Sequence, residues 1–394
     1  MTMSTNDRFA RPSPGADGQW PVVIQGGMGV AVSSWQMARA VSQVGQLGVV
    51  SGTALDVVIA RRLQDGDANG DVRRALDQFP VQAMAKRVLH RHFREGGRAP
   101  GQPYIPVHKL DIRPSATFLE LSIVANFAEV WLAKEGHDGV VGINFLEKVQ
   151  MATPSAAYGA MLAGVDYVLM GAGIPSEIPS LLNHLSRHER CSLDLDVDGA
   201  TTAYSIDFDP ETLTGGGLAP LPRPFFLAIV SAHVLAAYLA REDSTRPDGF
   251  VVEGPRAGGH NAPPRGRLVL DDDGQPVFGP RDDADLAKVA AVGLPFWLAG
   301  GYSTAAQVKQ ALAEGAAGVQ VGTLFALCAE SGIETSVREE MLSKLAAGRL
   351  EVRTDPLASP TGFPFKVATV PGTLSEADTY ADRPRLCDLS YLRV

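Results

Sequence analysis

Cysteine is scarce in this chain, with three residues among 394: Cys191, Cys328 and Cys387. Their wide separation gives neither a disulfide framework nor a paired metal-binding spacing, and such usage is typical of a reducing compartment. We therefore expect a cytoplasmic protein. A long basic run is also missing and the formal net charge is −9. This argues against nucleic acid as a partner, because proteins that bind it carry a basic stripe.

Long apolar runs are equally missing. Residues 1–20 are polar and lack the apolar core of a signal peptide. No stretch approaches the ~20 apolar residues of a membrane span, so we expect no membrane partner. A hydrophobic content of 45% still allows a large core. The length suits a barrel enzyme with insertions, since such barrels run from about 250 residues to beyond 400.

Eight short runs rich in Val, Ile, Leu and Phe are spread along the chain. They do not alternate in polarity, which predicts parallel strands buried on both faces. Helical patterns separate most of them, as at residues 33–45, 153–165 and 303–318. Eight such units favour a closed (β/α)8 TIM barrel over an open doubly wound sheet. The runs occupy residues 21–27, 47–53, 140–145, 167–173, 225–231, 250–255, 295–301 and 318–323.

The predicted domain is the barrel at residues 20–330, preceded by a polar arm at 1–19 and followed by an extension at 331–394 that packs on the barrel. Two connections exceed plain barrel loops: residues 185–224 after the fourth strand and 265–285 after the sixth, the latter with a hairpin signal around Asp-Asp-Gly. Both follow strands on the face where barrels build active sites. They are either walls of the substrate site or surface decoration.

The seventh and eighth predicted strands end in glycines. Gly300 and Gly301 follow one, and Gly322 and Thr323 follow the other. The loops after these two strands commonly hold a phosphate group in barrels. Glycine lets backbone N–H groups approach the phosphate, and a helix N-terminus favours negative charge. The alternative is that the glycines only form tight turns.

His260 follows the sixth predicted strand, directly after Gly258 and Gly259. The glycines allow a sharp turn that presents the imidazole at the barrel mouth, where it can exchange protons near neutral pH. The alternative is a structural histidine. Arg256 and Arg265 flank this loop and are candidates for an anionic substrate group, or they face solvent.

The first strand ends in Gln25, Gly26, Gly27 and Met28. The amide of Gln25 can donate and accept hydrogen bonds, the glycines leave room for a flat ring, and Met28 offers a soft apolar contact. By itself this segment is equally an ordinary turn from strand to helix.

The third strand supplies two more candidates. The amide of Asn144 lies among apolar residues near the strand end and needs a partner. Lys148 could place a positive charge beside the polar edge of a flavin, or it is a surface residue.

The remaining histidines indicate no metal site. His90 and His92 lie in a basic stretch that is typical of a solvated helix face. His184 and His188 are four residues apart on a predicted helix, but no third ligand is evident.

Four segments together resemble the nitronate monooxygenase (2-nitropropane dioxygenase-like) family: VIQGGMG at 23–29, EGPRAGGH at 253–260, AGG at 299–301 and GVQVGT at 318–323. The resemblance extends from about residue 20 to 330, and the superfamily includes flavin-dependent enoyl-[acyl-carrier-protein] reductases. It implies an FMN-binding barrel with His260 as the catalytic residue. It also implies that Gln25, Gly26, Gly27 and Met28 meet the isoalloxazine ring, and that Gly300, Gly301, Gly322 and Thr323 hold the phosphate.

Two departures from the family pattern lie near the expected substrate. Arg256 stands where the family usually has an acidic residue, and Asn261 stands where an aliphatic residue usually follows the histidine. The segments at 146–175 and 359–367 look like a subgroup related to reductase partners of polyketide and polyunsaturated-fatty-acid synthases.

Three functions remain open. The first is oxidation of a small nitronate or related carbanion with O2 as acceptor and His260 as acid/base. The second is reduction of an enoyl thioester by NAD(P)H, with an acyl carrier protein or synthase as partner. The third is flavin binding without turnover. A barrel of the inosine-monophosphate-dehydrogenase type is excluded, because none of the cysteines is placed as a loop nucleophile. A homodimer is a further expectation.

Overall fold

The computed structural model describes residues 14–15, 18–197, 199–359 and 362–384. Most of the predicted polar arm and Cys387 therefore lie outside the described residues. The described strands are β1 (Val23–Gln25), β2 (Gly48–Ser51), β3 (Val141–Leu146), β4 (Tyr167–Gly171), β5 (Cys191–Leu195), β6 (Tyr204–Phe208), β7 (Phe225–Val230), β8 (Gly249–Glu253), β9 (Phe296–Ala299), β10 (Gly318–Val321), β11 (Val352–Asp355) and β12 (Phe365–Ala368).

Helices fill most of the connections between strands. They are α1 (Trp35–Gln43), α2 (Leu55–Gln64), α3 (Asp71–Asp77), α4 (Gln82–His92), α5 (Ala116–Lys134), α6 (Thr153–Leu162), α7 (Ile178–Ser186), α8 (Pro210–Thr214), α9 (His233–Leu239), α10 (Leu286–Ala290), α11 (Ala305–Ala313), α12 (Thr323–Ala326), α13 (Thr335–Ala346) and α14 (Ala377–Asp382).

Eight strands form one parallel sheet in the order β1-β10-β9-β8-β7-β4-β3-β2. Its two edges meet through a parallel bridge between Ile24 and Leu47. The backbone N–H of Gln25 donates to Leu47 O at 2.9 Å, and Leu47 N–H donates to Val23 O at 3.1 Å. These contacts close the sheet, so the prediction of a (β/α)8 TIM barrel is confirmed. Each of the eight predicted apolar runs overlaps one of its strands.

The barrel strands are apolar on both faces because each face meets a separate core. One buried cluster, which includes Ile24, Val251 and Trp297, fills the barrel interior. A larger cluster, with Val50, Val252 and Val319 among its members, packs between the strands and the surrounding helices. Side chains two residues apart on a strand share a face. This alternation decides which side chains point inward at the mouth.

A third long connection, residues 54–140 between β2 and β3, was not predicted. It contains α2, α3, α4 and α5. α5 has the length and apolar character of a membrane span, contrary to the expectation that no stretch does, but 72% of its apolar window is buried within the fold. α5 is therefore packed as a core helix between α6 and the other helices of this connection.

The two predicted insertions and the C-terminal extension all carry local structure. β5 and β6 pair as an antiparallel hairpin within residues 185–224. In the second insertion, Leu270 and Pro276 form a bridge and Val277 N–H donates to Val269 O at 2.9 Å, as a hairpin turn requires. β11 and β12 of the extension form a further antiparallel hairpin.

Candidate functional site

The loops after β8, β9 and β10 lie against one another at the barrel mouth. A Cβ atom placed on Gly300 would lie 2.7 Å from the backbone nitrogen of Ala257, and the φ angle of Gly300 is +101°. A Cβ atom on Gly258 would lie 3.8 Å from Thr323 Oγ1. The structure thus brings together three predicted positions, Gly258, Gly300 and Thr323, from the loops after three strands, and only glycine fits at Gly300.

These loops leave backbone donors free to meet an anion. α12 begins at Thr323, so its first N–H groups have no acceptor within the helix. At the start of α11, by contrast, the capping box of Thr304 and Gln307 engages part of the donors, because Gln307 Oε1 accepts from Ser303 N–H at 3.0 Å and from Thr304 N–H at 2.9 Å. A Cβ atom on Gly301 would meet only the flexible side chain of Arg256, at 3.8 Å. The mouth here is a shallow cradle of glycine backbone between two helix N-termini.

Met28 lies beside this cradle. Its sulfur would be 3.5 Å from a Cβ atom placed on Gly322. The predicted ring contact at the end of β1 and the predicted phosphate loop at the end of β10 are therefore neighbours.

His260 is held by the C-terminal extension. Its Nε2 lies 2.7 Å from Ser359 Oγ, and its ring meets Phe365 edge to face at a centroid distance of 4.8 Å. Phe363 lies farther away, at 6.5 Å. Backbone pairing fixes the loop, because Lys366 N–H donates to Gly259 O at 3.0 Å. Gly259 has a φ angle of +76°, which the sharp turn requires.

Burial changes the protonation of His260. It is half-buried, and loss of solvation lowers the pKa of its imidazole below the usual 6.5. The ring is consequently neutral at pH 7 and has one nitrogen free of a proton. A neutral imidazole at a barrel mouth can accept a proton from a substrate and return it.

The side chain of Gln25 is fully buried and its polar atoms have protein partners. Its Nε2 donates to Ser33 Oγ at 2.9 Å, and its Oε1 accepts from Val49 N–H at 3.0 Å. The amide therefore ties β1 to β2 and to the following turn. Any contact of Gln25 with a bound ring would involve its backbone.

Gly27 is required by close packing inside the barrel, and Gly26 is tightly packed. A Cβ atom on Gly27 would lie 2.4 Å from Asn144 Cβ, and one on Gly26 would lie 3.3 Å from Gln320 Cγ. With the described residues, the Asn144 side chain makes one long hydrogen bond, from Nδ2 to Phe145 O at 3.4 Å. Its amide thus retains capacity for a ligand.

Lys148 lies between two carboxylates. Its Nζ is 3.8 Å from Glu147 Oε2 and 3.8 Å from Asp196 Oδ2, the latter within the first insertion. Glu147 Oε2 is buried without a hydrogen bond from any described residue. Lys148 therefore connects the third strand loop to the insertion wall.

Two polar side chains at the mouth were not singled out from the sequence. Glu253 ends β8 and Gln320 lies on β10, and Gln320 Nε2 donates to Glu253 Oε1 at 3.5 Å. Burial raises the pKa of the Glu253 carboxyl to about 8, so it is protonated at neutral pH. Gln320 Oε1 is buried and accepts no hydrogen bond from any described residue. Strand alternation from the inward Val251 was the available signal for Glu253.

A small cavity opens beside Glu253, between the loops after β7 and β8. Asn261 Nδ2 donates to Ala257 O at 3.0 Å, while its buried Oδ1 has no partner within the described part of the chain. Arg265 crosses the opening and donates from Nη2 to Ser231 O at 3.1 Å. The cavity is lined by Ser231, Glu253, Asn261, Pro263, Arg265 and Asp282 among others.

The other histidines differ in their surroundings. The prediction of a solvated face is wrong for His92, which is 2% exposed and whose pKa burial lowers to about 4. His184 Nδ1 lies 2.8 Å from Ser180 O, and His188 Nδ1 lies 2.8 Å from Tyr158 OH. Within the described ranges, no group of three His, Cys, Asp or Glu side chains is arranged to hold a metal ion.

The molecule is thus a parallel eight-stranded barrel whose mouth carries glycine loops and buried polar side chains, the usual location of a barrel's binding site. Residues 224–355, which include β7 to β10 and the His260 loop, match the family model described as nitronate monooxygenase. A nitronate monooxygenase of Pseudomonas aeruginosa is 34% identical over 172 residues, covering 40% of this chain and 45% of that protein. Over these residues the chain is similar to the nitronate monooxygenase family.

Other similarities are more limited. A (3aS,4S,5R,7aS)-5-hydroxy-7a-methyl-1-oxo-octahydro-1H-indene-4-carboxyl-CoA dehydrogenase of Rhodococcus jostii is 34% identical over 118 residues, which cover 30% of this chain and 29% of that protein. The structure of FabK from Thermotoga maritima superposes with a TM-score of 0.48 at 16% identity, covering 89% of this chain and 72% of that one. The matched part of the chain spans less than half the length of the Rhodococcus jostii and Pseudomonas aeruginosa relatives.

Proposed function

We propose that this protein is an FMN-dependent oxidoreductase that oxidises a small nitronate or related carbanion, with O2 as the acceptor. The observation that carries the proposal is the neutral, half-buried His260, which is clamped by Ser359 and Phe365 beside the glycine cradle. A base in this position, next to a phosphate cradle, suits proton transfer to a substrate that lies over a flat cofactor.

The residues at the mouth fit FMN. Gly300, Gly301, Gly322 and Thr323 offer backbone donors for a phosphate group, and Gly258 and Gly259 leave the neighbouring wall open. The buried Gln320 Oε1 needs a donor, which the ring N–H of a flavin would provide. Met28, at the end of β1, and Asn144 and Lys148, on and after β3, would contact the ring system. When bound, FMN supplies the electron acceptor and its reoxidation by O2.

The chain's own residues would carry the proton chemistry. A hydrogen bond between His260 Nε2 and Ser359 Oγ fixes the orientation of the imidazole ring. The other imidazole nitrogen is then the atom that takes or returns a substrate proton. Arg265 and the protonated Glu253 line the cavity beside this loop and can orient the oxygens of an anionic substrate. Phe363 and Phe365 exclude water from one side of the imidazole.

An anaerobic absorbance titration tests the proposal. FMN is added to the purified protein until the flavin bands show saturation, and a nitronate such as propyl-2-nitronate is then titrated. We expect bleaching of the flavin band, recovery on admission of O2, and no bleaching by NADH or NADPH. The matched variant His260→Asn should bind FMN equally but bleach at least 100-fold more slowly with 2-nitropropane, the neutral form of the same substrate, whose α-proton a general base must remove.

Each departure from this result has a distinct meaning. A protein that takes up no FMN overturns the cofactor assignment. A flavoprotein that NADPH bleaches rapidly and the nitronate does not is a reductase.

Enoyl-thioester reduction with NAD(P)H is the second candidate, and one observation favours it. The hairpin after β8 exposes an apolar strip beside the mouth, and such a strip could accept an acyl chain. Its members are 47–54% exposed: Leu268, Val269, Leu270 and Val277. The name of the Rhodococcus jostii relative, a carboxyl-CoA dehydrogenase, also concerns a thioester substrate. An acyl carrier protein or synthase would then be the partner.

Two further proposals concern a third candidate function, and the oligomeric state and location of the protein. A flavin-binding protein without turnover would show FMN uptake and no bleaching by any reductant named above. A homodimer in the cytoplasm is proposed from the barrel architecture and from cysteine usage, and sedimentation velocity tests the oligomeric state.

A further inference from the structure

A basic cavity lies outside the barrel, where α4 packs against the start of α5. Its lining comes from the third connection, residues 54–140, which the flavin site does not use. The lining residues are Lys86, Arg87, Val88, His90, Arg91, His92, Ala116, Thr117, Glu120 and Leu121. Four of these ten residues are lysine, arginine or exposed histidine in a chain whose formal net charge is −9.

The charge within the cavity is unbalanced. Glu120 is the one acidic lining residue, and it is fully engaged because Arg87 Nε and Nη2 both donate to it, at 3.0 and 2.7 Å. Arg91 contacts an imidazole and no carboxylate of the described residues, with Nη1 3.0 Å from His108 Nε2. Lys86 makes no ion pair with any described residue. Among the described residues, no carboxylate therefore neutralises the cationic charge of Lys86 and Arg91.

His92 provides an independent sign of a missing ligand. Its side chain is 98% removed from solvent and lines the cavity, yet its Nδ1 has no hydrogen-bond partner among the described residues. A buried polar nitrogen without a partner costs free energy, so native proteins usually satisfy it with protein, water or ligand. Burial and the neighbouring cations Arg91 and Arg94 lower the pKa of His92 to about 4. An anion in the cavity would compensate for both effects.

The start of α5 faces the same space. α5 has 19 residues, and its cap residue Ser115 accepts from Phe118 N–H at 3.2 Å. Ala116 and Thr117 line the cavity, and their N–H groups are among the first of the helix, which lack helical acceptors. The positive end of a long helix dipole thus adds to the side-chain charges.

The cavity lies on the mouth side of the barrel. α5 ends shortly before β3 begins, so it runs antiparallel to the strands and its first turn lies at the level of their carboxyl ends. Phe118 of that turn packs with Leu110 and with Ala152, which belongs to the segment after β3. A ligand held in the cavity could therefore extend toward the mouth.

We propose that this cavity binds the phosphate group of a small molecule, with Lys86 and Arg91 as charge partners and the first amides of α5 as hydrogen-bond donors. The proposal goes beyond the flavin reaction and does not depend on it. A terminal phosphomonoester and a diphosphate both present the anionic oxygens that these groups would bind, and the experiment distinguishes between them.

Calorimetric titration of the FMN-treated protein with sodium pyrophosphate and with adenosine 2′,5′-bisphosphate tests the site. We expect saturable binding of at least one probe, weakened at least tenfold in Lys86→Ala/Arg91→Ala. Arg349→Ala removes an exposed arginine elsewhere and should bind as the parent does. Tighter binding of the bisphosphate indicates a terminal monoester, and tighter binding of pyrophosphate indicates a diphosphate.

Two results would overturn the proposal. One is binding that the double variant retains, which would show that the anion binds at the barrel mouth and not in this cavity. The other is binding that sodium sulfate matches and Arg349→Ala weakens equally, which would indicate diffuse charge attraction. Histidine NMR gives a readout independent of charge, because the His92 ring resonances must shift on saturation. Circular dichroism of the double variant confirms folding.

Discussion

Glu253 Oε1 and Gln320 Nε2 meet at 3.5 Å across the barrel mouth, although strand β9 separates their strands. Both residues are in register with Ala299 of β9, so the two side chains reach over it on the inner face. A carboxylic acid and an amide therefore share one layer at the mouth. The acid is protonated, and the amide oxygen has no protein donor among the described residues.

Replacement of Glu253 by glutamine should stabilise the protein at alkaline pH. The pKa of Glu253 is raised from 4.5 to about 8 in the folded state, so the folded protein binds the extra proton and its stability falls as pH rises from 4.5 to 8. Glu253→Gln removes this loss. Its free energy of unfolding should exceed that of the parent by an amount that grows between pH 5 and 9. Each unit by which the pKa of Glu253 is raised contributes up to about 1.4 kcal/mol to this difference. Urea unfolding at both pH values measures it.

The surface substitution Glu351→Gln is the control for this experiment. It should leave the free-energy difference between pH 5 and 9 as in the parent. An advantage of Glu253→Gln that is equal at both pH values would contradict a raised pKa.

Loss of His260 should affect turnover and leave FMN binding intact. His260→Ala removes the base, so kcat should fall by about 10²–10⁴ while the flavin absorbance stays unchanged. Because burial lowers the pKa of His260, the parent's kcat/KM should be constant from pH 7 to 8 and decline only at acidic pH, where the imidazole becomes protonated. A decline that begins above pH 7 would exclude this imidazole as the titrating base.

Removal of the Phe365 ring should raise the pKa of His260. The ring lies 4.8 Å from the imidazole, and its loss admits water, which stabilises the protonated form. Phe363→Ala provides the comparison, since that ring lies 6.5 Å away and should change the pKa less. Histidine NMR titration of both variants gives the values. An unchanged pKa in Phe365→Ala would show that the barrel alone buries His260.

Gly300 should tolerate no side chain. Gly300→Ala places a Cβ atom 2.7 Å from the backbone of Ala257 at a φ angle of +101°, so both strain and collision distort the cradle. Gly315→Ala is the matched control, because its φ angle is +90° and nothing lies within 4 Å. Both should lose about 1–3 kcal/mol of stability from backbone strain. Only Gly300→Ala should lose FMN affinity, as fluorescence titration measures; equal losses in both variants would contradict a role in binding.

The barrel could be predicted because its strands carry an unusual signal. A strand buried on both faces, such as Phe225–Val230, has no polar alternation and cannot be confused with a surface strand. The glycines that end β9 and β10 then located the mouth. The sequence could not show that the Gln25 amide makes its hydrogen bonds inside the barrel. Its partners Ser33 and Val49 come within reach only when the sheet closes.

Other features depended on contacts between distant segments. The basic neighbours of His92 in the sequence predict a surface position, yet the residue is 2% exposed in the fold. Glu253 and Gln320 sit within ordinary strand runs, and their pairing requires the register of three strands. The hold of Ser359 on His260 joins residues 99 positions apart. Periodicity carries no information about such pairs.

The clamp on His260 also sets an order of events during synthesis. Every residue of the barrel from β1 to β10 leaves the ribosome before Ser359 and Phe365 do. A nascent chain that has folded its barrel therefore has its glycine loops before the contacts of His260 with Ser359 and Phe365 exist. The hairpin of β11 and β12 follows the barrel in the chain, so the loop that carries His260 reaches its final packing only after this hairpin has been translated.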